Sequence, residues 1–253
     1  MFRGTKISPF VVVFWYHMSM DKKKLTALVT RRLAKEYPEV HVTLDRHTPF
    51  QLVVSVILSA QATDKKVNEV MAPHYKTYKT ARDFAALTQK QLEQMVRPLG
   101  FYHMKARAVR ETALRVCDTY DNRVPLDFDA LLTLRGIARK SANVIYGELT
   151  GTVKGVVVDT HVTRLAHRLG LSKKKNAVQI ERDLMNIVPE KDWRMFPHYL
   201  VWHGRAVCKA QRPACDACSL NTFCPSAFQL KPWKKKNPAK RNPTLPGNKA
   251  IKR

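Results

Sequence analysis

Cys208, Cys215, Cys218 and Cys224 crowd into the stretch VCKAQRPACDACSLNTFC with the spacing C-x6-C-x2-C-x5-C. Four thiols so close along a chain constrain its folding more than any other feature, because a compact loop brings them together without a large fold around it. Three chemistries fit the pattern. Disulfides need an oxidising compartment, and nothing in the chain targets it convincingly for export. Tetrahedral zinc accepts four thiolates, and so does an iron-sulfur cluster, and the spacing alone does not divide these two. Cys117 stands apart, on the apolar side of ETALRVCDTY, where it reads as a small buried side chain.

The rest of the sequence is helical in period. In LTALVTRRLAKEY, Leu25, Leu28, Val29 and Leu33 share one side, and TPFQLVVSVILSA is almost continuously apolar, as in a helix buried all round. ARDFAALTQKQLEQMVRPLG places Leu87, Leu92 and Val96 before Gly100. KARAVRETALRVCDTY carries Ala108, Val109, Ala113, Leu114 and Cys117. DFDALLTLRG supplies Leu131, Leu132 and Leu134, SANVIYGEL supplies Ala142, Ile145 and Leu149, and further helices are expected at 160 to 169, 176 to 187 and about 194 to 206. Strand signals are scarce, so the fold class is all-α. In VVVDTHVTRLAHRLG, Asp159 or Thr160 suits an N-cap and Gly170 a C-terminal stop. Capping by itself gives Asp159 a purely structural role.

Charge points to the partner. With 45 Lys and Arg against 20 Asp and Glu the chain carries +25, a field that favours a polyanion, nucleic acid before an anionic membrane surface. Residues 225 to 253 hold nine basic side chains and no acid, yet the remainder still stands at +16. That proline- and lysine-rich tail cannot build a core and reads as a disordered arm. The first 17 residues hold an apolar run, Phe10 to Tyr16, too short to span a bilayer and without a cleavage pattern. Met18 and Met20, just before the first convincing helix, are plausible translation starts.

In DFDALLTLRGIARKSANVIYGEL one amphipathic segment ends near Leu134 and another begins near Lys140, a helix-hairpin-helix. A turn at Gly136 followed by a helix N-terminus can present backbone N–H groups to a phosphate, although a plain packing hairpin has the same pattern. Lys140 is the anomaly, because a helix N-terminus disfavours an ammonium. Here the residues carry a resemblance. LSAQATDKKVN (58 to 68), GFYHMKARAV (100 to 109), LRGIARKSANV (134 to 144) and VVVDTHVTRLAHR (156 to 168), together with the cysteine spacing, resemble the endonuclease III family of helix-hairpin-helix DNA glycosylases, from about residue 22 to Cys224.

The resemblance implies a six-helix domain over 42–152, with its helix-hairpin-helix at about 128–149, and a [4Fe-4S] cluster domain built from 20–41 and 153–224. An N-terminal extension (1–19) and the basic tail (225–253) lie outside. The active site falls in the cleft between the domains. It also implies that Lys140 is the nucleophile and Asp159 the catalytic carboxylate of a bifunctional glycosylase/AP lyase acting on oxidised pyrimidines in duplex DNA. Cys208, Cys215, Cys218 and Cys224 become the cluster ligands. Gln61 matches the residue that fills the space of the extruded nucleotide, and Phe101 the apolar wedge, usually leucine. Arg135, Gly136, Ala138 and Arg139 fall in the DNA-gripping hairpin, and Lys209 and Arg212 in the cysteine loop.

An amine attacks only when unprotonated. The helix terminus, Arg139 and desolvation by substrate disfavour the ammonium, whereas a nearby Asp159 favours it. The usual L-P-G-V-G of the hairpin is here Leu134-Arg135-Gly136-Ile137-Ala138; an alanine resists positive φ and crowds an approaching backbone, so a weaker grip on DNA is expected, with the charge of Arg135 as a compensation. A monofunctional adenine glycosylase of the same superfamily is the nearest rival, and Lys140 argues against it; a non-catalytic iron-sulfur DNA-binding or redox module is the rival of another class. The protein is expected to be a monomer with no membrane partner, cytoplasmic and nucleoid-associated if prokaryotic, and not secreted.

Overall fold

The computed structural model describes residues 21–229, and among them every regular element is helical. The expected start codon at Met18 or Met20, the N-terminal extension and most of the tail lie outside the described residues. α1 spans Lys22–Glu36, α2 Pro49–Leu58, α3 Asp64–Tyr75, α4 Ala81–Ala85, α5 Gln89–Val96 and α6 Tyr102–Tyr120. α7 follows at Phe128–Leu132, α8 at Arg139–Thr150, α9 at Thr160–Arg168, α10 at Ala177–Ile187 and α11 at Met195–Ala206, with short 3-10 turns at Glu190–Asp192, Cys215–Ala217 and Asn221–Phe223.

Their boundaries follow local chemistry. Thr48 caps α2 by accepting from Gln51 N, with Pro49 in the first turn, where its missing N–H costs nothing. The helix is buried on every side, as its unbroken apolar run predicts, and its one amide is satisfied. Gln51 Nε2 donates to the carbonyls of Tyr75 and Tyr78, and Oε1 accepts from His47 N. Burying each such Leu or Val stabilises by about 1.5–3 kcal/mol, provided no polar group is stranded.

Three details differ from the sequence pattern. The stretch from 81 to 100 forms two helices, because Thr80 and Thr88 each make a capping box and restart the chain. Seven helical segments therefore occupy 42–152, two of only five residues. Leu132 is exposed, since a five-residue helix turns only one face inward. The fold also runs past Cys224: Ala227 N donates to Cys224 O and its side chain is buried, so packing continues to the edge of the basic tail.

The buried apolar side chains form two clusters. One runs from Leu44 to Ile145 and is built on α2 to α8. The other joins Leu25, Val29 and Leu33 of α1 to Val156 and the segments that follow it as far as Phe223. Three ion pairs cross between them: Arg139–Glu181 at 3.1 Å, Glu148–Arg194 at 3.2 Å and Asp64–Arg205 at 3.4 Å. Two of the three involve α8, one at its first residue and one near its last turn. That helix is thereby held at both ends against the second cluster. No described helix is long and apolar enough to cross a membrane.

Candidate active site

Between the two clusters lies a cleft of about 170 Å³ whose walls include Lys140, Ser141 and Val144 from α8, Asp159 at the head of α9, and His198, Trp202 and Arg205 from α11. Lys140 sits in the first turn of α8, exposed. Asp159 is half-buried and caps α9, with Oδ1 accepting from His161 N and Val162 N at 2.8 Å each. Such a cap is worth about 1 kcal/mol. Both bonds fall on the same oxygen, and a carboxylate has two. Capping and a role in the cleft are thus compatible. Burial lowers the pKa of His198 below its usual value, against the opposing charges of Glu148 and Asp159. It does the same to His161, which sits 3.1 Å from Arg164 Nη2.

The hairpin is unstrained where strain was expected. Gly136 takes φ +81°, a left-handed value that glycine accepts freely. A Cβ there would stand 3.3 Å from that of Ala108. Ala138, by contrast, is the N-cap of α8 with φ −99° and ψ 172°. That is ordinary extended backbone, so the alanine imposes no conformational penalty. Arg135 is paired with Glu111 at 3.0 Å, and its carbonyl accepts from Thr112 Oγ1. Arg139 has protein partners. Its guanidinium donates to both oxygens of Glu181, on α10, and to the Lys154 carbonyl. Lys209 and Arg212 are exposed.

Gln61 and Phe101 share a feature that sequence does not reveal. Both have left-handed backbone, φ +54° and +59°, and both are exposed. For residues with a Cβ this conformation costs roughly 1–2 kcal/mol each. Phe101 precedes α6 without a side-chain capping bond and is 62% exposed, so its side chain does little within the fold to offset that cost.

The four clustered cysteines line a second, smaller cavity together with Arg168 and Ala227. All are free thiols, as is Cys117. Among the described residues no three His, Cys, Asp or Glu side chains are grouped so as to hold a single metal ion. Arg168 Nη1 donates to Cys208 Sγ at 3.2 Å, and His203 Nε2 lies 3.3 Å from Cys218 Sγ. Burial pushes Cys218 and Cys224 up to about 11, so these thiols ionise at neutral pH only beside a positive centre.

Lys140 and Asp159 stand out in the sequence, whereas His41, His198, Trp202 and Arg205, which line the same cleft, do not. The last three stand at i, i+4 and i+7 on one face of α11, a spacing that a packing stripe shares, so it does not mark a cleft by itself. His41 comes from the connection after α1.

Residues 54–190 match the family model described as HhH-GPD superfamily base excision DNA repair protein. Endonuclease III of Synechocystis sp. is 41% identical over 207 residues, covering 82% of this chain and 94% of that protein. The chain belongs to the endonuclease III family. The Escherichia coli endonuclease III is 33% identical over 81% of this chain and 96% of its own length. Among solved structures, a trapped endonuclease III–DNA covalent intermediate superposes with a TM-score of 0.77 at 36% identity, covering 83% of this chain and 99% of that one. A thermostable thymine-DNA glycosylase, at 19% identity and a TM-score of 0.71, shares the fold.

If the strain at Phe101 serves DNA rather than folding, Phe101→Gly will leave the thermal midpoint unchanged or raise it while weakening binding to an abasic-site duplex. Melting curves and a duplex titration on the same preparation check this. A lowered midpoint would make Phe101 a structural residue.

Proposed function

We propose that this protein is a bifunctional DNA glycosylase/AP lyase of base excision repair, with Lys140 as nucleophile and Asp159 as the carboxylate that assists it. The observation that carries the reading is their meeting in one cleft between two apolar clusters. A stacked base hides its glycosidic bond, so the damaged nucleotide must first leave the duplex. Gln61 and Phe101, exposed and left-handed, are suited to occupy the space it leaves. The Gly136 turn, Lys209 and Arg212 then hold the phosphate backbone.

In the reaction, unprotonated Lys140 Nζ attacks C1′ of the deoxyribose, and the base departs with the bonding pair and a proton. Ring opening gives an iminium between C1′ and Nζ. That cation acidifies the C2′ proton, and its removal expels the 3′ phosphate by β-elimination. Water finally hydrolyses the iminium and frees Lys140. Asp159 stabilises the positive sugar and relays protons through the oxygen not used as a cap. The substrates are oxidised pyrimidines and abasic sites in double-stranded DNA, and the protein acts as a monomer in whichever compartment holds that DNA.

Residues 42–152 form one domain, and 20–41 with 153–224 the other. In the latter, Cys208, Cys215, Cys218 and Cys224 would hold a [4Fe-4S] cluster. Four soft donors lining one cavity, with Arg168 and His203 at two of the sulfurs, fit such a group. When bound it would supply rigidity to the loop that carries Lys209 and Arg212.

Two measurements test these assignments. With a lesion panel scored separately for base loss and strand scission, Lys140→Gln will abolish both, and borohydride will trap wild-type protein on DNA but not the variant. Strand scission retained by the variant would refute the nucleophile. Native protein will be brown with broad visible absorption and stoichiometric iron, whereas a colourless zinc protein would refute the cluster.

A further inference from the structure

β-Elimination needs a proton acceptor, and the cleft offers few. While the iminium stands, the lone pair of Lys140 Nζ is tied up in the bond to C1′, so the nucleophile cannot also be the base. Arg205 is a fixed cation, and Asp64 is engaged by Thr43 Oγ1 and by Arg205. Asp159 commits Oδ1 to the cap of α9, and its charge steadies the cationic sugar; holding the C2′ proton would cancel that charge. Two imidazoles remain on the walls, His41 and His198. His41 is exposed, with Nδ1 2.7 Å from the Glu39 carbonyl. His198, on α11, is placed differently. His161, His167 and His203 each hold a ring nitrogen against a partner, at 3.1, 2.7 and 3.1 Å, whereas the His198 ring makes no hydrogen bond among the described residues. Its nitrogens are not sealed either, since among those residues the buried polar side-chain atoms left without a partner are Lys105 Nζ and Arg194 Nε. An imidazole that is half-buried, unbonded and unsealed keeps its lone pair open to the cleft it lines.

We propose that His198 is the catalytic base of the lyase half-reaction, taking the C2′ proton of the iminium while Asp159 stays ionised. The inference rests on the glycosylase/AP lyase reading and adds a residue to its second half. Burial holds His198 below the ordinary histidine range, against the pull of Glu148 on α8 and Asp159 at the head of α9, while Arg194 and His41 act in the same direction as burial. The ring is therefore neutral at neutral pH and can accept a proton. In the step, the C2′–H bond breaks and its proton passes to the unprotonated ring nitrogen. The electron pair becomes the C2′–C3′ π-bond as the C3′–O bond breaks, and the 3′ phosphate leaves with the pair of that bond. The imidazolium then returns its proton to water. Two groups thus divide the reaction: the carboxylate serves the positive charge, and the imidazole serves the proton.

The test compares two rates in one reaction. Native protein in excess is mixed with a duplex carrying one 5-hydroxyuracil, and each time point is read for free base by chromatography and for strand scission on a gel. Scission will keep pace with base loss in the wild type. In His198→Gln and His198→Ala it will lag base loss by about tenfold or more, the borohydride-trapped adduct will build up during the lag, and added imidazole will shorten the lag in His198→Ala. The acceptor is the neutral ring, so its action is full above the lowered pKa and lost as pH falls through it. The wild-type ratio of scission to base loss will accordingly hold down to about pH 6.5 and drop on the acid side, a profile that His198→Gln will not show. That wild-type profile stands in if neither variant folds. Scission that keeps pace in both variants, a lag that arises in His41→Ala instead, or a wild-type ratio flat on the acid side would overturn the proposal, and an adduct still trapped on Lys140 would leave the glycosylase/AP lyase reading in place. A wild-type protein that neither releases base nor forms the adduct would overturn both.

Discussion

Helix α8 (Arg139–Thr150) is pinned at both ends, by Arg139 to Glu181 and by Glu148 to Arg194. Each pair joins one apolar cluster to the other, so the helix that carries Lys140 cannot drift from the segment that carries Asp159 without breaking an ion pair. Glu148 is nearly buried and also binds Arg46, and a carboxylate left without its partners in such a place is costly. An adjoining glycine makes the other pair possible. A Cβ on Gly155 would overlap the Glu181 carboxylate and crowd Arg139.

In a chain with 45 basic and 20 acidic side chains, where the acids sit matters more than how many arginines there are. Glu148, Glu181 and Asp64 each bridge the two clusters, and Asp159 caps the helix that begins at the cleft. The acids therefore hold the cleft together and furnish its carboxylate, leaving much of the exposed surface to the basic excess. A polyanion approaching that surface meets an attractive field first and a shaped cleft second.

Much of this was legible in sequence because the signals were local. Capping at Asp159, the left-handed stop at Gly170 and the all-round burial of α2 each follow from a few consecutive residues, and each is present. The family resemblance carried what local chemistry could not: a cap residue looks the same whether or not it also faces a substrate. α3 went unnoticed, since DKKVNEVMAPHY is mostly polar with a proline near its end, and its helicity comes from the Thr63 cap and packing of Val67, Val70 and Met71. The bond between Arg139 and Glu181, and the contact of Trp202 with His41, join residues far apart in the chain, so no periodicity announces them. The extended backbone of Ala138 went unforeseen for a related reason. Which residue of a hairpin needs positive φ depends on where its turn lies, and here that residue is Gly136.

The architecture thus makes one amine special among many lysines: it lies at the head of a doubly braced helix, in the cleft that also holds a helix-capping carboxylate. Peptide mapping of the borohydride-reduced protein–DNA adduct by mass spectrometry tests that claim most directly. The account predicts that the sugar remnant resides on Lys140 alone. A remnant on any other lysine, or on the terminal amine, would contradict it.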